Sequence, residues 1–88
     1  MPSPRRLLLL RHGETSHNRD GIWQGHLDVP LSATGQGQAK AAGGALAAYG
    51  PVRIVSSDLA RAARTADAVA AAGGLEVELD PRWREFDV

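Results

Sequence analysis

The 88-residue sequence contains no cysteine. Disulfide staples, thiolate nucleophiles and cysteine-based metal sites are excluded, and the cytoplasm is the default compartment. Aromatic residues are scarce at 5 %, with two tryptophans, one tyrosine and one phenylalanine. Trp23 and Trp83 read as packing or rim residues rather than recognition platforms. Neither sign of charge is in surplus, because ten Lys+Arg balance ten Asp+Glu. The basic footprint of a nucleic-acid binder is missing. Long apolar runs near the start are missing too. Two arginines precede Leu7–Leu10, but that run falls short of the roughly 7 to 15 residues of a signal core. Nothing approaches the ~20 apolar residues that span a membrane. The expectation is a soluble, unprocessed chain with no membrane or nucleic-acid partner.

What remains is ordinary globular material, 43 % hydrophobic and 23 % charged, too apolar for a disordered chain. The length allows one domain or part of one. Lys40 is the only lysine, so the cations are almost all arginine. Arginine suits bidentate phosphate binding, and a GC-rich coding bias produces the same pattern.

Leu7–Leu10 is a short continuous apolar run, as in a strand buried on both faces of a parallel sheet. Gly13 ends it. Residues 14–34 mix Gly, Asp, Asn, Pro and Ser without a period and read as a long functional loop. A helix is predicted over 35–49, with Ala39, Ala42, Gly43 and Leu46 on one face and Ser32 or Thr34 as cap. Gly43 and Gly44 each cost about 1 kcal/mol against alanine in a helix; close approach to a sheet is the expected return. Gly50-Pro51 stops the helix. A second strand is predicted over 52–55. A second helix covers 58–72, capped from Ser56, Ser57 or Asp58 and stopped by Gly73-Gly74. Its apolar face is Leu59, Ala62, Ala66, Val69 and Ala70. Leu75–Leu79 alternates as a strand with one wet face. Alternation of strands and helices predicts an α/β fold, a three-layer α/β/α sandwich with a mainly parallel sheet, or the first half of one.

Ligands of such sheets bind beyond the carboxyl ends of the strands. There the sequence places Arg11, His12, Gly13, Glu14 and Thr15, then Ser56, Ser57, Asp58 and Arg61, then Arg82, Arg84 and Glu85. One histidine, several arginines and an acid suit a phosphoryl group. Imidazole can be the nucleophile. Arginine forks match the equatorial oxygens. A carboxylic acid can protonate the leaving alkoxide. A structural role is the plain alternative for each. Arg61 could pair with Asp58, and Arg64 with Asp67, as surface ion pairs at helical spacing. His17 and His26 beside His12 fit no closed zinc pattern.

Arg11-His12-Gly13-Glu14-Thr15 resembles the RHGET signature of the histidine phosphatase, or phosphoglycerate mutase-like, superfamily. Asn18, the run from Gln24 to Ser32, Gly37-Gln38-Ala39, the run from Ser56 to Ala66, and Asp80 to Glu85 resemble its further segments in order. The later runs are similar to those of glucosyl-3-phosphoglycerate phosphatases and broad-specificity sugar phosphatases. The resemblance implies that His12 is the nucleophile and Glu85 the proton donor. It implies phosphate binding by Arg11, Arg61 and Asn18, and substrate binding by Gln24 and Gly25. It implies no metal and no other cofactor. The implied activity is hydrolysis of a small-molecule phosphomonoester through a phosphohistidine; a homodimer is compatible with it.

Two departures qualify the implication. His17 stands where many mutase-type members have tryptophan, which favours phosphatase over mutase. The second catalytic histidine of the family, in a late His-Gly pair, has no counterpart here. Residues 1–88 are therefore expected to be the N-terminal part of a single histidine phosphatase domain, with apolar surface left uncovered beside Leu7–Leu10. The alternatives are a mutase and a non-catalytic phosphate- or partner-binding fragment.

Overall fold

The structure is a computed structural model that describes residues 7–84. Glu85 lies outside the described residues. Helix α1 (Ser16–Arg19) begins at Thr15, whose hydroxyl accepts from the Asn18 amide while the Asn18 side chain accepts from the Thr15 amide. This reciprocal cap makes a short helix inside a stretch that lacks periodicity. Helix α2 (Ala33–Ala47) is capped by Ser32, whose hydroxyl accepts from the Gly35 amide. Strand β1 (Ile54–Ser56) leads to helix α3 (Ala60–Gly73), and strand β2 (Val77–Leu79) leads to a 3-10 turn, Pro81–Trp83.

Strands β1 and β2 pair in parallel, Ile54 opposite Val77 and Ser56 opposite Leu79, with α3 as the crossover. Helix α3 packs on both strands and on α2. Gly74 ends α3 in the left-handed conformation, φ 67°, with its amide bonded to the Ala70 carbonyl. The buried apolar side chains are few: Leu31, Ala39, Leu59, Ala66, Val69 and Ala70.

Three expectations need correction. Leu7–Leu10 forms no strand. The leucines alternate between 80 %, 39 %, 81 % and 46 % exposure, as an extended chain does when only one face rests on something. A parallel strand buried on both faces needs partners along both edges, and the sheet among the described residues is the β1–β2 pair alone. Second, Gly43 serves a helix–helix contact rather than a helix–sheet one. A Cβ on it would stand 2.6 Å from the Ala68 carbonyl oxygen of α3. Gly44 has nothing within 4 Å of such a Cβ, so no close approach there offsets its cost. Third, the residue capping α3 is Leu59, which offers no side-chain cap. The carboxylate comes from Asp28, thirty-two residues earlier, which accepts from the Ala60 amide at 2.6 Å. Ser57 helps by accepting from the Leu59 amide at 3.1 Å.

Candidate active site

Residues 11–18 begin at the end of the extended leucine segment. His12 Nδ1 lies 2.7 Å from the Gly13 carbonyl oxygen. A carbonyl only accepts, so Nδ1 carries the hydrogen. A neutral ring then keeps its lone pair on Nε2. Gly13 is buried, and its amide donates to the Thr65 hydroxyl of α3 at 2.9 Å. A Cβ on Gly13 would collide with the Gly35 carbonyl at the start of α2, and one on Gly35 would collide with the Glu14 carbonyl. The two glycines let two backbones touch.

The rest of the loop is fastened from several directions. The Ser32 amide donates to the Glu14 carbonyl at 2.8 Å, and the Glu14 amide donates to Gln38 Oε1 at 2.9 Å. Thr15 is fully buried and donates its hydroxyl to Gln24 Oε1 at 2.7 Å. It also forms an isolated antiparallel bridge with Leu31.

Arg61 is 1 % exposed. Its guanidinium donates to the Gly25 carbonyl at 2.5 Å and the Leu27 carbonyl at 2.6 Å. Asp28 caps α3 one residue before Arg61. The loop 24–28 is thus tied to the start of α3 by two kinds of bond, from side chain to loop backbone and from loop side chain to helix backbone.

These parts border a groove of about 540 Å³. Its polar lining includes Arg11, His12, Asn18, Ser57, Arg61 and Thr65; the leucine segment, β1 and apolar residues of α3 contribute to the rest. Six of the seven expected site residues are described: Arg11, His12, Asn18 and Arg61 line the groove, and Gln24 and Gly25 lie beside it. Arg11 is exposed; His12 and Asn18 are half-buried. Gln24 and Gly25 are buried, and the bonds described above turn them toward Thr15 and Arg61. Glu85 follows Arg84 in sequence. Arg84 makes a two-pronged bond to Asp58, at 2.6 and 2.7 Å. The pairing of Asp58 is therefore with Arg84 and not with Arg61. The hydrogen-bonded guanidinium of Arg84 holds the Asp58 carboxyl below its ordinary value. Arg64 pairs with Asp67 at 3.0 Å as the spacing suggested. Among the described residues no three His, Asp or Glu side chains gather as a metal-ligand set, and no helix is long and apolar enough to cross a membrane.

Thr65 and Asp28 are the groups that sequence reasoning passed over. Thr65 stands in the same run as Arg61, one helical turn on. That spacing is a signal, since i and i+4 share a helix face.

The family model for the histidine phosphatase superfamily, branch 1, matches residues 7–88. The chain belongs to the histidine phosphatase superfamily. It is 49 % identical over 81 residues to a glucosyl-3-phosphoglycerate phosphatase of Mycolicibacterium vanbaalenii, covering 92 % of this chain and 36 % of that protein. It is 44 % identical over 80 residues to a Salmonella paratyphi C protein named probable phosphoglycerate mutase GpmB, covering 91 % of this chain and 37 % of the relative. Among solved structures, mycobacterial glucosyl-3-phosphoglycerate phosphatase Rv2419c with VO3 superposes with a TM-score of 0.80 at 45 % identity, over 81 % of this chain and 34 % of that one. An Entamoeba histolytica phosphoserine phosphatase with 3-phosphoglyceric acid gives 0.78 at 36 % identity, over 85 % and 36 %. The chain spans about a third of the length of these relatives. Its helices and parallel strand pair match a part of the phosphoglycerate mutase-like α/β fold.

Proposed function

We propose that the protein hydrolyses phosphomonoesters of small molecules through a phosphohistidine at His12. The carrying observation is the bond from His12 Nδ1 to the Gly13 carbonyl, which puts the lone pair on Nε2 at a groove also lined by Arg11, Asn18 and Arg61. Nε2 attacks phosphorus as the bond to the ester oxygen breaks, and Glu85 gives that oxygen its proton. Water then attacks the phosphohistidine, loses its proton to Glu85, and releases phosphate and His12. Arg11, Arg61 and Asn18 supply donors to the phosphoryl oxygens. Gln24 and Gly25 serve the substrate through the loop, by holding Thr15 and Arg61. No metal is assigned a step.

Glucosyl-3-phosphoglycerate is the first substrate to test, since relatives sharing close to half the residues carry that name. The lack of cysteine favours the cytoplasm. We place residues 1–88 in the N-terminal part of one phosphatase domain, on the share of the relatives they span. The likeness to GpmB supports a second reading, in which the phosphoryl group is passed to another hydroxyl rather than to water.

The test is phosphate release by the native protein from p-nitrophenyl phosphate and from glucosyl-3-phosphoglycerate, with EDTA present. An acid-labile, base-stable phosphoprotein should form. His12→Ala should abolish both, with a rate loss on the order of 10³-fold or more. Turnover that survives the substitution would remove His12 from the reaction. Transfer to a second acceptor without phosphate release would establish the mutase.

A further inference from the structure

We infer that Thr65 is a positioning residue for the His12 nucleophile; the inference rests on the phosphatase reading above. Thr65 is 4 % exposed and its hydroxyl is used twice. It accepts from the Gly13 amide at 2.9 Å and donates to the Arg61 carbonyl at 2.8 Å. A hydroxyl has one hydrogen and can accept as well, so both bonds form together. Gly13 in turn accepts from His12 Nδ1 through its carbonyl at 2.7 Å. The result is a chain of bonds: imidazole N–H to Gly13 carbonyl, Gly13 amide to Thr65 hydroxyl, Thr65 hydroxyl to Arg61 carbonyl. The last two bonds share the Thr65 hydroxyl and polarise one another, and the first joins them through Gly13 Cα as a positional link.

The geometry assigns the chain a task. Gly13 has no side chain to hold it, and its conformational freedom is large. Its carbonyl decides which ring nitrogen of His12 carries hydrogen. Gly35 limits Gly13 sterically on one side. On the side of α3 the Thr65 hydroxyl is its polar anchor. That same hydroxyl is anchored to the backbone of Arg61, whose guanidinium reaches the loop 24–28 and the groove. Thr65 therefore fixes the distance between the nucleophile and a phosphate-binding arginine. A purely structural threonine in a helix would return its hydroxyl to the carbonyl four residues back and stop there. This one also receives a bond from fifty-two residues away.

Two substitutions separate the parts. Thr65→Val keeps the shape and removes both bonds; Thr65→Ser keeps the hydroxyl. In the native protein, Thr65→Val should lower kcat about 10- to 100-fold, the scale of a misplaced reacting group, with KM changed little. Thr65→Ser should stay within about threefold of wild type. Nitrogen-15 spectra should show the Nδ1–H tautomer of His12 in wild type and Thr65→Ser, and a shift toward the other tautomer in Thr65→Val. If Thr65→Val does not fold, amide exchange in the wild type decides. The Gly13 amide should be protected well beyond that of Val52, which is 89 % exposed, and exchange at the Val52 rate would overturn the inference. An unchanged His12 tautomer in folded Thr65→Val would overturn it as well. The phosphatase reading fails separately, through activity that survives His12→Ala.

Discussion

The two walls of the groove are held by different means. On one wall, Leu7–Leu10 lies extended with Leu7 and Leu9 about four-fifths exposed, and β1 and β2 make a sheet of two short strands. The other includes Asn18 and Arg61, and Asn18 is held by Thr15, which is completely buried with both its amide and its hydroxyl bonded. The first wall is apolar and undirected. Its burial needs neighbouring strands, which the described residues do not supply. The second is polar and directed, and short-range bonds suffice to fix it. The reacting group proposed here stands at the junction. The side that must be accurate is the one that hydrogen bonds hold.

The largest effect is expected where the polar wall meets backbone. Gly13→Ala pushes a methyl group into the Gly35 carbonyl, and neither main chain can yield without breaking the Ser32–Glu14 or Gly13–Thr65 bonds. The cost should exceed about 3 kcal/mol, at the upper end for overpacking. Chemical denaturation reads it directly. A loss under about 1 kcal/mol would mean that the loop is not held against α2.

A smaller contrast lies within one helix. Gly43→Ala should destabilise by about 1–3 kcal/mol, because the methyl group meets the Ala68 backbone and forces α2 away from α3. Gly44→Ala, one position on, points into open space. It should stabilise by roughly 0.5–1 kcal/mol through helix propensity and a less mobile unfolded chain. Thermal midpoints of the two variants should move in opposite directions. Movement in the same direction would show that α2 and α3 do not pack through Gly43.

Local patterns made the helices and the gathering of Arg11, His12, Asn18 and Arg61 at one groove legible. Ser32 caps α2 as its position suggested, Gly74 closes α3, and the parallel pairing of the last two strands follows from alternation. What local patterns could not carry was partnership across the chain. Asp28 capping α3, Asp58 choosing Arg84 over Arg61, and Gly43 facing a helix all depend on contacts twenty-five or more residues apart. Leu7–Leu10 shows the same limit from the other side. An apolar run states a preference for burial, and only neighbours can satisfy it.

The smallest expected effect concerns the ion pair that ties Arg84 to the start of α3. Asp58 and Arg84 are about one-third exposed, and their two bonds favour the charged carboxylate. The Arg84 bond thus lowers the folded-state value of Asp58. A carboxyl group lowered on folding binds fewer protons in the folded state than in the unfolded one. Its contribution is therefore complete above the unfolded value of about 3.9 and disappears as pH falls through the lower folded value. Asp58→Asn should leave a shallower loss of thermal midpoint between pH 5 and pH 2 than wild type (about the range over which such a group titrates). Glu78, also lowered by its arginine, Arg53, is more exposed than Asp58 at 52 %, so Glu78→Gln should change the acid slope less, since solvent screens that pair more strongly. Equal slopes in the two variants would show that the Asp58–Arg84 pair is no better held than the Arg53–Glu78 pair.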